Sequence, residues 1–91
     1  MKKICFVTTI YLTYRMFLKQ LSAYLYETGE YDISLICNQE PEIAEDLPEF
    51  VHYYPVKMER GVSLSAVSAI GDIKKILNEQ RFDIVQYSTP N

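Results

Sequence analysis

Short apolar runs alternate with stretches of helical period along this chain, and that alternation restricts it to a few architectures. Ile4–Val7 is a continuous apolar run with β-branched residues. Such a run fits a strand buried on both faces, as in a parallel sheet. From about Tyr14 the period changes, with Tyr14, Phe17, Leu18, Leu21, Tyr24 and Leu25 recurring at helical spacing. Thr13 is the expected N-cap of this helix. Gly29 is its expected stop, because glycine accepts the left-handed geometry after a helix end. Lys19, Gln20 and Glu27 are expected to face solvent.

Ile33–Cys37 reads as the second strand. Residues 38–50 form an acidic, proline-punctuated connection with Glu40, Glu42, Glu45, Asp46 and Glu49, with room for one helical turn. These charges read as a solvated surface. Val51–Val56 is the third strand, and Pro55 inside it makes it short or places it at a sheet edge. Lys57–Ser63 is a loop, after which Ser63 or Ser65 caps a second helix with Leu64, Val67, Ile70, Ile73 and Leu77 on one stripe. Ile84-Val85 is the fourth strand.

The order strand, helix, strand, strand, helix, strand predicts an α/β fold with right-handed crossovers. The expected arrangement is a partial Rossmann-like parallel sheet of strand order 3-2-1-4, with helices on both faces. The 91 residues make one small domain at most. Ligands of such sheets bind beyond the carboxyl ends of the strands, where the strand order reverses. That rule selects Thr8 to Tyr11 and Tyr87 to Asn91 as two loops facing one crevice.

The residues in those loops exclude some chemistries. Thr8-Thr9-Ile10-Tyr11-Leu12-Thr13 contains no glycine, so neither a dinucleotide fingerprint nor a phosphate-cradling loop is present. The hydroxyls of Thr8 and Thr9 suit a polar ligand; strand termination and helix capping are the alternative. Tyr87, Ser88 and Asn91 bring hydrogen-bonding groups to the end of a buried strand, which suits a carbohydrate or other polar substrate. An ordinary turn would use the same residues. Arg60, before a serine-capped helix, can hold a phosphate; an isolated surface arginine is the plainer alternative. Tyr11 and Tyr87 are the two tyrosines of eight that fall near the crevice.

No nucleophile-and-base pair can be named, so no catalytic residue is assigned. Glu40 and Glu42 fall in the acidic connection, whereas acid–base work needs carboxylates on rigid elements. Cys5 and Cys37 lie in apolar runs and read as buried free thiols. No metal-ligand spacing is present, and no metal or cofactor is expected. The net charge of -3 argues against a nucleic-acid partner. The apolar run after Lys2-Lys3 is too short for a leader, and no run approaches the ~20 residues of a membrane helix. A cytoplasmic location is expected.

Several segments together resemble the N-terminal domain of glycosyltransferase family 4, which has the GT-B fold. They are Lys3-Ile4-Cys5-Phe6-Val7-Thr8-Thr9, Phe17-Leu18-Lys19-Gln20-Leu21, Ile33-Ser34-Leu35-Ile36-Cys37, and above all Arg81-Phe82-Asp83-Ile84-Val85-Gln86-Tyr87-Ser88-Thr89-Pro90-Asn91. The resemblance is strongest to bacterial enzymes that build capsule, exopolysaccharide or lipopolysaccharide. Many members carry glycines in the first loop, and this chain carries none there.

The resemblance implies a hexosyl-type transferase in which a nucleotide-sugar donor binds mainly a C-terminal domain and the acceptor mainly the N-terminal one. It implies residues 1–91 as a single partial, acceptor-side domain, inactive without the donor domain. It also admits peripheral membrane association of the whole enzyme. Two other readings remain. One is a stand-alone α/β module that pairs through its open sheet edge, and a fragment of this kind is expected to self-associate. The other is a receiver-like or nucleotide-binding α/β domain; a receiver would need acidic residues where Thr8 and Thr9 stand.

Overall fold

A computed structural model of the chain describes residues 1–8, 10–56 and 67–88. Four strands form one sheet: β1 (Lys2–Thr8), β2 (Tyr31–Cys37), β3 (His52–Pro55) and β4 (Ile84–Ser88). All pairings are parallel and the order is β3-β2-β1-β4. This is the expected half of a doubly wound sheet. Each strand but β3 runs beyond its apolar core, because main-chain pairing continues where side chains turn polar. Lys2, for example, pairs with Tyr31, and Ser88 with Thr8.

Pro55 fits the edge position of β3. It is aligned with Cys37, and the carbonyl of Cys37 instead accepts from Val56 N–H at 3.0 Å. An edge strand tolerates the missing donor.

The two faces of the sheet carry separate cores. On one face, Ile4, Phe6, Ile33, Leu35 and Cys37 pack against Tyr11, Tyr14, Leu18 and Ile43. On the other, Cys5, Val7, Ile36 and Val56 pack against Ile73 of helix α4 (Val67–Gln80), with Ile76, Leu77 and Phe82 partly buried beside them. β1 therefore buries alternate residues in opposite directions, as its unbroken apolar run requires. Leu64, Ser63 and Ser65 of the expected second helix fall outside the described residues.

The first helix departs from expectation in two ways. It begins at Tyr11, and its pieces are α1 (Tyr11–Thr13), a π-helical stretch (Tyr14–Leu18) and α2 (Lys19–Glu27). Thr13 is thus inside the helix, not its cap. The N-cap is Ile10, in extended conformation and without a side-chain cap.

The buried stripe also moves. Tyr11, Tyr14, Leu18 and Ser22 face the sheet, with Leu25 partly buried, whereas Phe17 is 70% exposed and Tyr24 67%. The wide π turn supplies the reason. It fits an extra residue into one turn and so rotates Phe17 off the apolar face that a regular helix would give it. The C-terminal end is as expected: Gly29 has φ +76° and its N–H donates to the carbonyl of Tyr26 at 3.0 Å. The acidic connection contains the short helix α3 (Ile43–Asp46), whose Ile43 anchors it to the core.

Candidate functional site: the crevice at the ends of β1 and β4

Parallel pairing brings the carboxyl ends of β1 and β4 side by side. Val7 is aligned with Tyr87 and Thr8 with Ser88. The loops that leave these strands therefore start from adjacent points, as a strand-order reversal demands. The register is fixed at the opposite end of the pair. There the Lys3 N–H donates to the Asp83 carboxylate at 2.8 Å, and the Asp83 N–H to the Lys3 carbonyl at 2.8 Å. Phe82 holds the same junction from the side. Its ring meets Tyr54 edge-on at 6.3 Å, and the Lys3 ammonium sits 5.2 Å from its centre. The Phe82-Asp83-Ile84-Val85 segment thus sets how far β4 slides along β1.

Thr8 is fully buried, and its hydroxyl donates to the carbonyl of Ile10 at 3.1 Å. That bond ties the last residue of β1 to the residue before the first helix. Tyr11 is also fully buried, with its phenol donating to the Asp46 carboxylate at 2.7 Å. Its ring stacks on Tyr14 at 5.6 Å. Burial first, then the Asp46 hydrogen bond and charge, push the Tyr11 phenol well above the ordinary tyrosine range. Tyr87, by contrast, is 55% exposed, and it is the described candidate that offers a side chain to solvent. Ser88 is placed here by the backbone of β4 alone. Thr9, Arg60 and Asn91 lie outside the described residues.

Two residues read from sequence as solvated charges belong to this region. The Glu40 carboxylate accepts from the backbone N–H of Tyr11 at 2.8 Å. Asp46 accepts from Tyr11 and also from the Lys19 ammonium at 3.0 Å. Both hydrogen bonds, that of Tyr11 first, hold the Asp46 carboxyl below its ordinary 3.8. Lys19, expected to face solvent, is partly buried by this contact. A signal for Glu40 existed: a helix that starts after Ile10 has no side-chain cap of its own, so its first N–H groups need an acceptor from elsewhere.

A model for glycosyl transferase 4-like domains matches residues 3–91. The chain belongs to this family. No curated protein and no solved structure gives a significant match.

Within this glycosyl transferase 4-like chain, other reactive groups stand apart from the crevice or are quiet. His52 Nε2 lies 2.9 Å from Asp32 Oδ1, toward the amino ends of β2 and β3. Burial pushes the Cys5 thiol up to about 12. Cys37 also stands at about 12, raised by burial and then by the Glu40 charge, with the Thr8 and Tyr53 hydroxyls opposing. Neither is a ready nucleophile, because the thiolate is the reactive form. Among the described residues no group of three or more His, Cys, Asp or Glu converges as a metal site would. No helix among them is long and apolar enough to cross a membrane.

Proposed function

We propose that the chain is the acceptor-side part of a glycosyltransferase that moves a sugar from a nucleotide-sugar donor in bacterial polysaccharide biosynthesis, and that it does not catalyse transfer alone. The observation that carries this reading is the family match over residues 3–91 on a sheet whose strand order reverses at β1 and β4. One half-sheet forms one wall of a crevice, whereas transfer needs donor and acceptor held against each other. Tyr87 contributes polar contacts to that wall, with Thr9, Arg60, Ser88 and Asn91 as further candidates. Thr8 and Tyr11 shape it from behind, since their hydroxyls are engaged internally. In this reading the protein is cytoplasmic and meets the membrane peripherally. The exposed Met16, Phe17 and Tyr24 on the first helix support that contact.

The test begins with the coding frame beyond Asn91. The protein it encodes is assayed for transfer from a panel of labelled nucleotide sugars to lipid and glycan acceptors. Transfer by the whole protein, none by residues 1–91, and a drop on the order of tenfold to a hundredfold in kcat/KM for acceptor on Tyr87→Ala are expected. A frame that ends at Asn91, or transfer by the 91 residues alone, would refute it.

A second reading has its own observation. Among the described residues β4 pairs only with β1, and Ile84 and Tyr87 on it are exposed. A free edge of this kind recruits another strand, so a module that pairs through β4 is the alternative. Sedimentation of the 91-residue chain separates the two: a concentration-independent monomer removes the edge-pairing reading.

A further inference from the structure

Three contacts at the start of the first helix converge on Tyr11. Its N–H is taken by Glu40, its phenol by Asp46 and its ring by Tyr14. Both carboxylates come from the connection after β2, and Asp46 is itself held by Lys19, the first residue of α2. Only two residues separate Thr8, the last of β1, from Tyr11, the first of the helix. So short a span keeps Tyr11, wherever it is held, close to the end of β1.

We propose that Glu40 and Asp46 are positioning residues of the acceptor wall: through Tyr11 they set the direction in which the chain leaves β1, beside Ser88. This rests on the transferase reading for its functional part. The mechanical part stands on the contacts alone. Glu40 supplies the acceptor that Ile10 lacks, and a carboxylate there also suits the positive end of the helix dipole. Glu40 holds the backbone of Tyr11 and Asp46 the tip of its side chain, so Tyr11 can neither rotate nor lift without breaking one of the two bonds. The acidic connection is therefore a brace between the first two strands' exits.

The experiment uses the ¹⁵N-labelled 91-residue chain and its Glu40→Ala, Glu40→Gln and Asp46→Asn variants. Glu40→Ala is expected to move the amide signals of Thr8, Ile10 and Tyr11 while those of β2 and β3 stay in place. Glu40→Gln retains a carbonyl oxygen for the Tyr11 N–H and is expected to restore them. A wild-type pattern in Glu40→Ala, or a Glu40→Gln pattern matching Glu40→Ala, overturns the proposal. Should Glu40→Ala fail to fold, Asp46→Asn supplies the same reading at the phenol end, and unchanged Tyr11 signals there overturn it.

In the whole enzyme, Glu40→Ala is expected to raise KM for acceptor on the order of tenfold, with KM for donor unchanged. An equal rise for both substrates would mark a merely structural role and overturn the functional part. Absence of any acceptor-dependent transfer by the wild type would sink the transferase reading and leave the amide result to decide the brace.

Discussion

Among the described residues, Tyr14 and Ser22 form a side-chain hydrogen bond in which both partners are fully buried, with their oxygens 2.6 Å apart. Geometry assigns the proton. Ser22 has a single hydroxyl hydrogen, and it donates to the carbonyl of Lys19 at 2.9 Å. The Tyr14 phenol must then be the donor to Ser22. The two single substitutions should therefore differ in cost.

Tyr14→Phe removes the donor but leaves Ser22 bonded to Lys19, so it should lose about 1 kcal/mol, the net value of one hydrogen bond. Ser22→Ala strands a buried phenol without its acceptor, a loss of roughly 1–3 kcal/mol. About 0.5 kcal/mol of that is offset by the higher helix propensity of alanine. In the Tyr14→Phe background no phenol remains to be stranded, so adding Ser22→Ala should cost close to nothing.

The double-mutant cycle is measured by urea unfolding followed by circular dichroism, with equal slopes required across the four proteins. A coupling of about 1–2 kcal/mol is expected. For a domain of this size each kilocalorie corresponds to roughly 4–8 °C in Tm. If Ser22→Ala costs as much in the Tyr14→Phe background as in the wild type, the proton assignment and the bond's contribution are both wrong.

Other outcomes follow from the same structure. Asp83→Ala removes the carboxylate that holds the Lys3 N–H at an exposed junction, and a loss of about 1 kcal/mol in urea unfolding is expected; no change would show that β4 keeps its register without it. Gly29→Ala meets no atom within 4 Å, so its whole cost is the φ of +76°, about 1–2 kcal/mol in the same assay. Cys5 and Cys37 should resist a thiol reagent at neutral pH in the folded chain and react on unfolding. Their folded values of about 12 exceed the ordinary 9.0, so their contribution to stability is complete below about pH 9 and is lost as pH rises from there towards 12; urea midpoints that rise over that range would contradict this.

The sequence by itself determined the sheet. Runs such as Ile4–Val7 and Ile33–Cys37 can satisfy their apolar side chains only between two layers, and helical stretches between them leave only parallel pairing. That β3 is short or at an edge was legible in Pro55, because a missing N–H is a local, absolute fact; it is both. The helix stop was legible in Gly29 for a similar reason: few residues accept φ +76°. The side-by-side exits of β1 and β4 followed from strand order, and the family from the chain as a whole.

What the tertiary structure alone decided depends on partners distant in sequence. Regular periodicity put Phe17 in the core, but the π stretch at Tyr14–Leu18 turned it outward and put Tyr11 and Ser22 in its place. The helix start moved to Tyr11 because its N–H found an acceptor in Glu40, 29 positions away. The same distance in sequence hid the roles of Glu40 and Asp46. A carboxylate in an acidic loop looks like surface charge until the fold brings it to a backbone N–H or a buried phenol. Composition and period report what each segment wants to bury; which polar group answers which is settled only when the strands have paired and their exits meet.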